Sequence, residues 1–208
     1  MNMRTICLVA SVGMILVGLT AWTLAERTGY ETAEYEVIEA DGSFEIREYP
    51  DLTLAATNAK PDAEGRDGSF MRLFGYISGE NQANQKIEMT TPVFMEPAGD
   101  PSAASMGFVM PKDVAESGAP DPSGTNVEIR TRKGGRFAVI RFSGQLDSKL
   151  AEEQETKLRE WMQSRGLEGE ATAETAGYDP PFKPAALRRN EVLIRLKARG
   201  EPSESEDQ

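Results

Sequence analysis

Apolar and polar residues alternate through Ile87-Glu88-Met89-Thr90-Thr91-Pro92-Val93-Phe94. Ile87, Met89, Thr91 and Val93 recur at every second position, which is the period of a strand. Pro92 has no N–H to give to a ladder, so it marks an edge, a strand end or a bulge. The same alternation runs through Tyr35–Glu39 and Phe44–Tyr49, on either side of Ala40-Asp41-Gly42-Ser43, and Asp-Gly is a hairpin signal. Pro50-Asp51 interrupts the run, and Leu52–Ala59 continues it after a bend. Between these strands and Ile87 the period changes. Phe70, Leu73, Phe74 and Ile77 fall at i, i+3, i+4 and i+7, one face of a helix, with Arg72 and Tyr76 on an adjoining face. Ser69 or Asp67 supplies its cap and Gly79 its end. Stretches 60–68, 97–105 and 112–126 are loops by their Pro and Gly content.

Met106–Pro111 is a strand that completes the first half. The second half reads in the same order: Val127–Thr131 is a strand, Lys133-Gly134-Gly135-Arg136 is a turn, and Phe137–Phe142 is a strand. A helix follows from Asp147 to Arg165, with Leu150, Leu158, Trp161 and Met162 on one stripe and Leu146 as a staple. Ala171–Thr175 is a short strand. Tyr178-Asp179-Pro180-Pro181-Phe182-Lys183-Pro184 is a stiff extended loop, because each proline biases its predecessor towards extended geometry. Val192, Ile194 and Leu196 alternate in a last strand. Each half is strand, strand, helix, strand, strand. The prediction is an α+β fold in which two such halves form a distorted antiparallel β-barrel with two packed helices. A cleft between halves is a natural ligand site.

Composition narrows the chemistry. The 208 residues include no histidine and one cysteine, Cys7. Histidine-based triads, a histidine general base and a thiolate metal site are therefore excluded, and no intramolecular disulfide can form. A net charge of −11 argues against nucleic acid as a partner, since phosphates require a basic face. No catalytic or metal-ligating set is assigned. Glu45, Glu48 and Glu88 lie at alternating strand positions, where a solvated face accounts for them better than paired acid–base chemistry.

Residues 1–25 read as a signal peptide or an N-terminal membrane anchor. Arg4 supplies a positive end, Ile6–Ala25 carries no charge, and Thr23-Leu24-Ala25 resembles a cleavage site. The expectation is an exported protein, periplasmic or extracellular, or held at a membrane through residues 5–25. Residues 26–33 form a linker, 34–198 the domain, and 199–208 an acidic tail expected to be disordered. The domain is expected to be a monomer.

Six motifs carry a family resemblance. Tyr76-Ile77-Ser78-Gly79-Glu80-Asn81, Lys86-Ile87-Glu88-Met89-Thr90-Thr91-Pro92-Val93, Phe108-Val109-Met110-Pro111, Phe142-Ser143-Gly144, Tyr178-Asp179-Pro180-Pro181-Phe182 and Arg188-Arg189-Asn190-Glu191-Val192 occur in one order. Together they resemble the SOUL haem-binding protein family. The resemblance implies a fold shared with bacterial effector-binding domains and a non-enzymatic role, holding haem or another tetrapyrrole in an apolar groove beside the first helix. It carries Arg72 and Lys183 to basic positions near the propionates, and Phe74 and Ile77 to the apolar wall. The absence of histidine leaves the groove and the propionates, or ligation by Met or Tyr, to hold a haem. Met89, Met71 and Tyr76 are the nearest such groups, and core packing is the plainer reading of each. The binding candidates are thus Arg72, Phe74, Ile77, Met89 and Lys183. An effector-type module for another amphipathic small molecule is the alternative. Arg188 and Arg189 are expected to pin the last strand and its loop, and Tyr178 and Asp179 to fix the Pro-Pro turn.

Overall fold

Pro50 and Gly134 shape the sheet. In a computed structural model, which describes residues 29–58, 68–96 and 105–197, each sits at a bend in a long strand. The first long strand comprises β3 (Phe44–Tyr49) and β4 (Leu52–Asn58), and the second β8 (Glu128–Arg132) and β9 (Gly135–Phe142). They pair antiparallel in one unbroken register: Phe44 faces Ile140, Tyr49 faces Gly135, Leu52 faces Arg132 and Ala56 faces Glu128. At the crossing, a Cβ on Gly134 would lie 2.3 Å from the Tyr49 carbonyl oxygen, so only glycine fits. The Asp51 carboxylate accepts the Gly134 N–H at 2.8 Å and the Lys133 ammonium at 2.9 Å. The expected turn at Lys133–Arg136 is therefore a bend, and β8 and β9 pair with the other long strand instead of with each other.

The remaining strands are β1 (Glu31–Thr32), β2 (Glu36–Asp41), β5 (Thr90–Thr91), β6 (Val93–Glu96), β7 (Ser105–Val109), β10 (Glu174–Gly177) and β11 (Asn190–Arg195). The main sheet runs β2-β3-β9-β11-β10-β6-β7-β4-β8, all antiparallel, and curls so that its two flanks meet along the bent strands. Outwards from the central β6·β10 pair, β7 matches β11, β4 matches β9 and β8 matches β3, which is the expected pseudo-two-fold repeat. The β2–β3 hairpin closes through Gly42-Ser43, with Gly42 at φ 63°. The Ile87–Phe94 stretch is less regular than its alternation suggests. Pro92 splits it, so that β5 pairs parallel with β1 while β6 joins the main sheet.

Helix α1 (Ser69–Ile77) packs on β4 and β7, and α3 (Ser148–Ser164) on β9 and β11. A short α2 (Lys112–Ser117) lies inside the stretch read as loop. Gly68, at φ 61°, caps α1 with no side-chain bond, and Ser69 is its buried first residue. Asp147, at the expected start of the helix, is the cap of α3 and accepts the Leu150 N–H at 2.9 Å. Alternation along β9 sends Phe137 and Val139 into the barrel and Ala138 and Ile140 under α3, where Leu158 and Met162 meet them. Leu73, Tyr76 and Ile77 bury α1 against Ala55, Ile87 and Phe108. Trp161 is only half-buried; it stacks on Phe44 at 5.1 Å and donates to Asp41 at 2.9 Å. The architecture is α+β, a curled antiparallel sheet with a helix from each half. The stretch expected to be a signal peptide or anchor, the acidic tail and residues 26–28 of the expected linker lie outside the described residues.

Candidate functional site

A helix that buries one stripe leaves its flanks to solvent. On α1 the flank facing β6 carries Phe70 and Phe74, whose rings stack at 6.2 Å, and Phe70 meets Phe108 edge-on at 5.3 Å. These two rings form one wall of a cavity of about 620 Å³, within the range of small-molecule sites. Its floor is Met89, Thr91, Val93, Met95 and Met106. Met95 and Met106 are cross-strand partners, so two thioethers lie side by side on the same floor. The far wall is the segment from Gly177 to Phe182 with Arg188 and Asn190, and Tyr30 and Leu146 complete the lining. A smaller hollow of about 270 Å³ is lined by Glu31, Glu34, Asp51 and Glu116 with Lys112. It has less than half the volume of the cavity beside α1, and four carboxylates are among its lining residues.

The far wall is held by charge. The Asp179 carboxylate accepts the Lys183 ammonium at 2.5 Å and the Arg189 N–H at 2.6 Å. Arg188 donates to the carbonyls of Lys183, at 2.7 Å, and of Pro181. The loop is thereby cross-linked with Phe182 at its tip, 87% exposed. Behind the wall lies a buried ionic cluster. The Glu191 carboxylate accepts from Arg47 at 2.8 and 3.0 Å, from Arg189 at 2.6 Å and from the Tyr178 hydroxyl at 2.9 Å. Arg189 also lies over the Tyr178 ring at 3.9 Å. Burial pushes the Glu191 carboxyl up, but the Arg47 and Arg189 guanidiniums more than reverse this and hold it at about 2. Burial, with the Glu191 charge beside it, pushes the Tyr178 phenol well up, so it stays a donor. A second buried arginine, Arg132, lies against the rings of Phe94 and Phe137 at 4.4 Å and pairs with Glu174 at 2.7 Å. There burial outweighs the arginine and raises the Glu174 carboxyl.

Two of the five binding candidates, Phe74 and Met89, line this cavity. Ile77 does not. At helical spacing it belongs to the stripe of Leu73 and Tyr76 and is buried beneath α1. Arg72 reaches to the end of β4, donating to Thr57 Oγ1 at 3.0 Å and to the Asn58 carbonyl at 2.6 Å. Lys183 adjoins the lining residue Phe182 but turns its ammonium to Asp179. Met71 is exposed, and Tyr76 is buried with its hydroxyl on the Pro120 carbonyl at 2.8 Å; neither lines the cavity. Sequence reasoning did not place Phe70, Met95, Met106, Arg188, Asn190 or Tyr30 here. The excess of methionine around residues 89–106 was the available signal. Among the described residues no three His, Cys, Asp or Glu side chains are grouped to hold a metal ion.

The model of the SOUL heme-binding protein family matches residues 30–195, a span that includes every wall of the cavity. The chain belongs to the SOUL heme-binding family. Heme-binding protein 2 of Mus musculus is 32% identical over 171 residues, covering 78% of this chain and 81% of the relative. Heme-binding protein 1 of Xenopus tropicalis is 29% identical, covering 79% of this chain and 91% of its own. Among solved structures, a hydrolase from Listeria innocua superposes with a TM-score of 0.55 at 10% identity, over 77% of this chain and 94% of that one. An uncharacterized conserved protein from the same organism gives 0.56 at 11% identity, over 74% and 92%. At such identities these two likenesses establish the fold of the SOUL domain and nothing of its chemistry.

Proposed function

We propose that this SOUL domain is a non-enzymatic binding protein that holds haem or another tetrapyrrole in the cavity between α1 and the Tyr178–Phe182 loop, without histidine ligation. The observation that carries this reading is the cavity itself: large, walled by Phe70 and Phe74, floored by three methionines, and spanned by the family match. A flat apolar macrocycle gains most from aromatic and thioether contact. The chain offers no imidazole. Met89, Met95, Met106 and Tyr30 line the cavity and carry thioether and phenol groups, both known as haem ligands. The haem, when bound, supplies the iron and its redox chemistry; the protein supplies the fit. Titrating haem into residues 26–208 and following the Soret band tests this. Saturable one-to-one binding supports it, and no saturable change at micromolar protein sinks it.

One observation favours a second reading. Arg188, the cation that lines the cavity, is committed to two carbonyls, and Lys183 to Asp179. Two propionates would have to compete for these groups. A less acidic amphipathic ligand, bound as in an effector-type module, avoids that competition. A thermal-shift screen separates the readings, because only a ligand that binds the folded state raises the melting temperature.

A further inference from the structure

Seven large apolar side chains are well exposed among the described residues, and four of them, Tyr30, Phe70, Phe74 and Phe182, line the one cavity. They come from three separate segments: ahead of β1, along α1, and the tip of the Pro-Pro loop. Apolar residues scattered singly over a surface need no explanation, whereas a ring of them around one opening marks an interaction surface. Tyr30 is of the amphipathic aromatic class that settles where a bilayer meets water, and the three phenylalanines are of the kind that interfacial surfaces bury among the acyl chains.

Tyr30 ties this rim to the amino-terminal stretch. It lies five positions after Ala25, a reach of at most ~18 Å of extended chain. Ile6–Ala25 holds 20 residues without a charge, the length that spans a bilayer. We propose that, with Ile6–Ala25 retained as an anchor, the aromatic rim rests on a lipid bilayer, so that an amphipathic ligand moves between membrane and cavity without crossing water. The net charge of −11 repels an anionic surface. The contact is therefore carried by aromatic area on a zwitterionic membrane. This inference rests on the cavity and its rim, and not on which ligand fills it.

The test uses the full chain with Trp22→Phe and Trp161→Phe, reconstituted into phosphatidylcholine vesicles whose acyl chains carry bromine, a contact quencher of indole. Phe182→Trp places the reporter at the rim, and Ile38→Trp places it on an exposed residue outside the cavity. The Phe182→Trp chain is expected to lose most of its fluorescence relative to unbrominated vesicles, while the Ile38→Trp chain keeps its own. Equal quenching of both, or quenching of neither, overturns the proposal. So does a blue-shifted Phe182→Trp emission that ignores the lipid, which would mean that residues 6–25 or a second copy cover the rim. Phe70→Trp repeats the measurement if Phe182→Trp does not fold. A failed haem titration alongside selective quenching would remove the proposed ligand and leave the membrane contact standing.

Discussion

Glu191→Gln keeps the shape of a fully buried side chain and deletes its charge. In the native domain the two carboxylate oxygens accept from Arg47, Arg189 and Tyr178 at 2.6–3.0 Å. After the change the one carboxylate left on Arg47, itself fully buried, is Glu45 at 2.7 Å, beside the Tyr49 hydroxyl at 3.0 Å and the Tyr35 ring at 4.1 Å. Removing one partner of a buried pair costs about 3–5 kcal/mol, because the other charge stays behind unpaired. In a domain of this size each kcal/mol moves the midpoint by about 2–4 °C, so the melt at neutral pH should fall by about 6–20 °C. Arg47→Met with Glu191→Leu removes that pair but leaves Arg189 and the buried Tyr178 hydroxyl without their acceptor, so it should recover only part of the loss. The pH dependence has a fixed sign. The folded pKa of Glu191, about 2, lies below its ordinary value of 4.5. Its stabilisation is therefore complete above 4.5 and is lost as pH falls from there towards 2. The gap between native protein and Glu191→Gln should narrow across that window, read by thermal melts in circular dichroism. A Glu191→Gln midpoint within about 2 °C of native at neutral pH, or a gap that stays constant on acidification, would refute the reasoning. Because Glu191 also holds Tyr178, the same variant should weaken ligand binding at the far wall.

Gly134→Ala puts a methyl against the backbone of the crossing strand and should cost roughly 2–4 kcal/mol, seen as a lower urea midpoint at unchanged slope. Asp147→Ala removes the cap of α3 and should cost about 1 kcal/mol, measured in the same way. Phe74→Ala strips one wall of the cavity and should weaken ligand binding by about 5–30-fold, the equivalent of 1–2 kcal/mol of apolar contact. Arg72→Ala, whose side chain is turned to Thr57 and Asn58, should leave affinity within about twofold, a few tenths of a kcal/mol; a larger loss in the same titration would show that Arg72 swings onto the ligand.

Local pattern determined much of this protein by itself. The alternation in β3, the Leu158-Met162 stripe of α3 and the Gly42 turn are all written within a few residues of each other, and so is the existence of α1, although its buried stripe is Leu73-Tyr76-Ile77 and not the expected Phe70-Leu73-Phe74-Ile77. The missing histidine and the six ordered motifs bounded the chemistry before any coordinates. What only the tertiary structure decided were questions of partner and direction. Period two states that Phe44 and Ile46 share a face and that Glu45, Arg47 and Tyr49 share the other, but not that both faces are covered. Arg47 reads as a solvated strand charge until Glu191, 144 residues away, is folded against it. Lys133–Arg136 reads as a turn because its bend is local, whereas its pairing with Tyr49 and Pro50 is not. The cavity is legible least of all, since its walls come from residue 30, α1, β6, β7 and the loop after β10. A helix pattern places Phe70 and Phe74 near the buried stripe, and only the packing of α1 on β4 and β7 fixes how far it is rolled, turning Ile77 inward and leaving the two rings to face the opening.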